Sequence, residues 1–128
     1  MKKSFIVFIS LSLIGFLVYK FIYKSHRKIS EEVADHKVSV SEIHQEFITN
    51  DSLAYAKYLD NTIEVYGKIT DIDTLGNLLV LDEKVVIMLL NKQDVIQKYG
   101  QNIKVKGRFI GYDDLLDELK IDQAILIP

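Results

Sequence analysis

TIEVYGKI at 62–69 and NIKVKGRF at 102–109 are near copies of one another. In each, apolar and polar residues alternate up to a glycine, followed by a basic residue and a large apolar one. A period of two is the signature of a strand with one buried face. Ile63, Val65, Gly67 and Ile69 fall on one side, with Glu64, Tyr66, Lys68 and Thr70 opposite. Ile103, Val105, Gly107 and Phe109 repeat the inward set. Glycine weakens an ordinary strand but suits one that must bend sharply, as barrel strands do.

The surrounding segments complete a strand series. Leu78–Leu81 and Val85–Leu90 are apolar runs joined by Asp82-Glu83-Lys84, which predicts a hairpin. The second run is apolar on both faces and calls for an outer cover, for which the preceding helix is the candidate. VIQKY at 95–99 predicts one or two helical turns ended by Gly100, and Leu119–Ile127 predicts a final strand. Strand, strand, strand, short helix, strand, strand is the element order of a five-stranded Greek-key barrel of the OB type, so the expected fold is mainly β.

Upstream, SVSEIHQEFITNDSLAYAKYLDN at 39–61 changes to helical spacing. Ser39 with Glu42 forms a capping box, Ile43, Phe47 and Ile48 make an apolar stripe, and Asn50-Asp51-Ser52 breaks the helix and starts a second. His44 lies off the stripe and reads as a surface residue. SHRKISEEVADHK at 25–37 mixes charges without apolar periodicity and reads as a solvated tether carrying two surface histidines, His26 and His36.

The amino terminus is different again. From Phe5 to Tyr23 the chain is apolar apart from Ser10, Ser12, Gly15 and Lys20, long enough to span a bilayer core of about 30 Å. Lys20 lies where it can snorkel, beside Tyr19 and Tyr23. A cleaved signal should end in small residues, whereas Tyr-Lys-Phe-Ile-Tyr-Lys follows here, so a retained anchor is expected. Basic residues after the span favour a cytoplasmic domain, while an N-terminal anchor ahead of a soluble domain commonly exports it; export is the expectation carried forward. The division is an anchor at 1–28, a linker at 29–38, and helix plus barrel at 39–128.

Charge and composition restrict function. Residues 1–28 carry six basic residues and no acid; the remainder holds ten Lys or Arg against eighteen Asp or Glu, a net of −8. Nucleic-acid domains usually show the opposite balance. Absence of cysteine excludes disulfides, thiolate metal sites and a lipidated N-terminal cysteine.

AKYLDNTIEVYGKI at 56–69 and GQNIKVKGRFIGY at 100–112, with a closing apolar strand, resemble the tRNA_anti-like OB-fold family across roughly 39–128. The resemblance implies a small bacterial protein with a membrane or lipoprotein anchor and short helices ahead of the barrel. Many members carry cysteines around the fourth and fifth strands, where this chain has Ile110 and Ala124. Likeness to anticodon-binding domains supplies only an analogy for function.

Outward residues Tyr66, Lys68, Lys104, Lys106 and Arg108 are the candidate ligand-binding set. Basic side chains around an aromatic ring can hold single-stranded nucleic acid; the plainer reading is a solvated sheet face with Glu64 paired to a lysine. Asp71, Asp73, Gly76 and Asp82 echo a calcium loop, but Leu75 lacks a ligand oxygen and the flanks are strands, so a turn is the better reading. GYDDLLDELKID at 111–122 reads as an acidic loop rather than a divalent-metal site. No Ser/His/Asp order, HExxH or phosphate loop is present, so no cofactor, metal or enzymatic activity is expected. The expected role is a membrane-anchored module binding a protein, peptide or small ligand at the cell envelope. The alternatives are a single-stranded nucleic-acid binder and a structural component of an envelope assembly.

Overall fold

In the computed structural model, which describes residues 1–23, 27–92 and 94–128, both glycine-bearing repeats are strands and are hydrogen-bonded neighbours. The elements are α1 (Lys2–Ile22), β1 (His36–Ser39), α2 (Val40–Thr49), α3 (Asp51–Tyr58), β2 (Thr62–Asp73), β3 (Leu78–Leu81), β4 (Val85–Leu89), β5 (Asn102–Asp113) and β6 (Glu118–Ile127). Single 3-10 turns occur at Ile29–Glu31 and Ile96–Lys98. Sheet order is β1-β2-β3-β4-β6-β5, with a further β2–β5 pairing that closes β2 to β6 into a five-stranded barrel. All its neighbouring pairs are antiparallel except β4 with β6, which is the OB arrangement.

β2 serves two neighbours in turn. Thr62–Lys68 pairs with β5, and from Ile69 onward the strand pairs with β3, with a register shift between Ile69 and Asp71. A bulge adds twist and bends a strand, so β2 can leave one sheet edge and join the other. Most of the inward set is as expected: Ile63, Val65, Ile69, Val105 and Phe109 are fully buried, together with Leu79, Leu81, Val85, Ile87, Leu119 and Ile121, while Ile103 at the start of β5 is only half-buried.

The two strand glycines do more than permit bending. Neither has positive φ. A Cβ on Gly67 would stand 2.6 Å from Asp82 Oδ2 and 2.8 Å from Val40 Cγ2, and one on Gly107 would stand 2.5 Å from Ile121 Cγ2 and 2.8 Å from the Asp122 carbonyl oxygen. They let α2 and β6 approach the β2–β5 seam.

α2 begins on the expected capping box: Ser39 Oγ accepts from the Glu42 amide, and Glu42 Oε2 accepts from the Ser39 amide. Asn50 ends α2 and caps α3 by accepting from the Leu53 amide. The helix pair does not cover the outer face of β4, as the sequence suggested. It buries Val40, Ile43, Phe47, Ala54 and Tyr58 in the main core. Phe47 stacks on Phe109 at 5.1 Å and meets Tyr55 edge-on at 5.1 Å. Plugging the barrel end removes more apolar surface from water than flanking one strand would, and Met88 on the outer side of β4 stays exposed. Ile48 and Leu53 are likewise solvent-facing.

The tether reading does not hold from Arg27 onward. Ile29 is 1% exposed beneath a 3-10 turn laid on β5 and β6, and His36–Ser39 adds a parallel strand to the free edge of β2. His36 packs edge-on against Tyr58 at 5.2 Å. Lys24, Ser25 and His26 lie outside the described residues. The 3-10 turn at 96–98, ending in Gly100 at φ +78, fits the expected short helix.

α1 is a 21-residue apolar helix, none of it buried, and is long and apolar enough to cross a membrane. At 1.5 Å per residue it measures about 32 Å.

The close approach at Gly107 sets a stability test. Gly107→Ala should destabilise the full chain in detergent by about 1–3 kcal/mol through overpacking, read by chemical denaturation. A neutral or stabilising result, the usual outcome for Gly→Ala at unhindered sites, would contradict this packing.

Candidate ligand-binding face

The five residues expected to form one basic face are brought onto the outer surface of two paired strands, but they divide into two groups. Register partners across the seam are Thr62 with Arg108, Glu64 with Lys106, Tyr66 with Lys104, and Lys68 with Asn102.

Lys106 and Arg108 are engaged by the protein itself. Lys106 Nζ donates to the carbonyl oxygens of Ser30 and Glu32, both at 2.9 Å. Arg108 forks onto Asp122 at 2.9 and 2.7 Å, with Asp60 3.7 Å away. Two-pronged guanidinium–carboxylate contacts are among the stronger polar interactions. Glu64 has its expected cross-strand lysine in Lys37, its register partner on β1, 4.0 Å away.

The Lys106 contacts belong to a strap formed by residues 27–35. Arg27 grips Glu32 with two bonds of 2.7 and 2.9 Å and donates to the Asp60 carbonyl at 2.7 Å. Thr62 Oγ1 donates to Glu32, and the Asp35 amide donates to the Thr62 carbonyl at 2.8 Å. Hydrogen bonds from Arg27 first, then Thr62, hold the Glu32 carboxyl down at about 2.

Tyr66, Lys68 and Lys104 form the other group. The Tyr66 ring is 45% exposed, and Lys68 and Lys104 are exposed. Tyr66 and Lys104 line an open depression of about 510 Å³ with Lys98, Gln101, Asn102, Ile103, Leu126, Ile127 and Pro128. No acidic side chain lines it. Among the described residues, the ammonium groups of Lys68, Lys98 and Lys104 form no ion pair, whereas ten ion pairs form elsewhere. Lys98 and the last three residues were not anticipated here; the turn placing Lys98 was legible, but its meeting with β2 was not.

A second polar cluster gathers at the plugged end. Asp117 accepts from Lys84 and from the Tyr112 hydroxyl at 2.7 Å, and His44 Nε2 lies 2.7 Å from Asp117 Oδ1. Lys84 foremost, then His44 and Tyr112, hold the Asp117 carboxyl well below the usual carboxylate range. In turn, the hydrogen bond to Asp117 and burial push the Tyr112 phenol up to about 12. His44 is therefore half-buried and bonded, not a free surface histidine. The cluster joins α2 to two turns of the barrel, with each polar group satisfied by another.

Two further acidic residues hold turns. Asp73 accepts from the Leu75 and Gly76 amides, and Asp113 accepts from those of Leu115 and Leu116. The two hairpin loops close alike, with Asn77 and Asp117 both at φ +54, a conformation these residue types tolerate. The calcium-loop resemblance thus reduces to a capped turn, and Asp82 accepts from the Lys68 amide.

A family model described as tRNA_anti-like matches residues 1–116, α1 included. No curated protein matches the chain. Among solved structures, the chain is similar to one titled "putative nucleic acid-binding lipoprotein" from Klebsiella pneumoniae subsp. pneumoniae. That similarity has a TM-score of 0.49 and 15% identity, covering 72% of this chain and 91% of the other.

The strap contacts lead to a test by limited proteolysis of the full chain in detergent. Arg27→Ala combined with Lys106→Met should speed cleavage within 28–35 severalfold, with the barrel left resistant. Because folding depresses the Glu32 carboxyl from 4.5, its contribution is complete above that pH and is lost as pH falls through about 2. Cleavage of the unmutated chain by an acid-active protease should therefore stay slow at pH 5 and rise towards pH 2. Cleavage equally fast in all cases would show that the strap is undocked.

Proposed function

The chain belongs to the tRNA_anti-like family, and from that premise we propose that it is a non-catalytic binding module, held at a membrane by α1, that takes an anionic ligand at Tyr66, Lys68, Lys98 and Lys104. The observation that carries the reading is the set of three lysines without ion pairs around a half-exposed tyrosine. Folded chains tend to pair or screen clustered like charges, and a basic patch left open in a domain of net −8 attracts anions locally.

What supports a binding role without catalysis is the use made of the reactive side chains. General acid–base chemistry needs a positioned acid or base, and the depression offers lysines, amides, one phenol and apolar groups with no carboxylate or imidazole side chain set beside them. His44, Asp117 and Asp122 are bonded within the fold. The acidic balance of the barrel weighs against a long polyanion such as nucleic acid, so the proposed ligand is a short acidic segment or small anion. The exposed tyrosine beside lysines is the one feature that favours single strands. Exposure of the domain outside the cytoplasm remains the expectation from the position of the anchor and belongs to this proposal.

Binding of a fluorescent polyglutamate peptide to the full chain in neutral detergent, followed by anisotropy, tests the site. Lys98→Glu with Lys104→Glu should weaken it about tenfold, each reversal removing roughly 0.5–1 kcal/mol of surface attraction. Unchanged affinity would sink the assignment. Tighter binding of a single-stranded oligonucleotide, with steep salt dependence, would transfer the site to nucleic acid.

A further inference from the structure

The docked strap limits how far the barrel can stand from the membrane, and this bears on what the basic patch meets. Four residues separate Ile22, the last of α1, from Arg27, which is already bonded to the barrel. Whatever their path, five Cα steps reach no more than about 18 Å. Strap and patch also share one strand face. Lys106 receives the strap, and Lys104 lies two residues further along β5, about 7 Å away. Thr62, beside Arg27, is four residues from Tyr66 on β2, about 14 Å. If α1 spans a bilayer, the patch is kept within roughly a barrel's width of the headgroup layer.

We propose that the anionic ligand of the Tyr66, Lys68, Lys98 and Lys104 face is the headgroup surface of the bilayer that holds α1, so that the barrel docks on its own membrane by this face. The inference rests on the anchored, anion-binding reading above and names the partner of that site. Three features fit a lipid surface. Lys98 and Lys104 line a depression that holds no acidic side chain, and juxtamembrane cations are drawn to anionic leaflets within a Debye length, about 8 Å at physiological salt. A tyrosine with Leu126 and Ile127 alongside offers the mixed apolar and polar contact that suits the interface. The hairpin loops after β2 and β5 carry exposed Asp73 and Asp114, which an anionic surface repels. Soluble anions have no such pre-set proximity, whereas the short connection keeps the bilayer at high effective concentration.

The chain contains no tryptophan, so a single introduced indole reports contact. Full chain carrying Tyr66→Trp would be reconstituted into phosphatidylcholine vesicles with and without phosphatidylglycerol, each containing brominated lipid as a depth quencher. Quenching should be severalfold stronger in the anionic vesicles. It should fall to the neutral level at high salt or when Lys68, Lys98 and Lys104 are all changed to Glu. Leu75→Trp, on the acidic turn where the parent side chain is 99% exposed, should stay unquenched in both. Equal quenching in the two compositions, or quenching indifferent to the charge reversals, overturns the lipid assignment while leaving a membrane-anchored module intact. Failure of the chain to float with vesicles after an alkaline wash overturns the anchored reading itself, and the lipid assignment with it. Should Tyr66→Trp misfold by circular dichroism, Ile127→Trp on the same rim, with the same expected responses, replaces it.

Discussion

Pairing of β2 with β5 is the constraint on which the rest of the structure depends. Seven consecutive register partners, from Thr62 with Arg108 to Lys68 with Asn102, turn an open sheet into a barrel. Closure removes the sheet edges that would otherwise remain unsatisfied. It also places Val65 against Val105 in the core and Tyr66 against Lys104 outside. The candidate site is thus the outer face of the same seam whose inner face holds the barrel shut. Gly67 and Gly107 tighten it from either strand by admitting Val40 and Ile121 to contact distances that no side chain would allow.

Once the barrel is closed, its end must be plugged and its first strand must be entered. The helix pair does the first, with Phe47 among Phe109, Tyr55, Tyr58 and Tyr112. The strap does the second, laying Ile29 on β5 and β6 before β1 pairs with β2. The apolar helix α1 and the barrel are therefore joined by a short connection into a docked segment. The practical consequence is that two of the five outward basic and aromatic residues, Lys106 and Arg108, work on the fold and not on a ligand.

The fold was largely legible because its main signals are local. Alternation in β2 and β5, the Ser39–Glu42 box and the Asn50 break each lie within a few residues, and each forms as its pattern requires. What was not legible depends on long-range meetings of residues that look generic alone. Residues 27–35 show no apolar period because the strap buries one isoleucine and is otherwise tied by backbone carbonyls to Lys106, 74 and 76 positions away. His44 read as a surface residue because its partner, Asp117, is 73 positions off. The covering of β4 is not legible because an apolar outer face says nothing about whether a helix gains more by plugging the barrel end. Of the site, Tyr66, Lys68 and Lys104 are legible from alternation alone, while Lys98 and Leu126–Pro128 join Tyr66 and Lys104 only through tertiary packing.

A docked strap mounts the barrel on α1. Hydrogen exchange of the full chain in lipid nanodiscs measures this directly. The amides of Glu32 and Asp35, which donate to the carbonyls of Ile29 and Thr62, should exchange much more slowly than free chain, alongside protected Val65 and Val105. Free-chain exchange at Glu32 and Asp35 with Val65 and Val105 still protected would contradict the account, leaving a folded barrel on a loose tether.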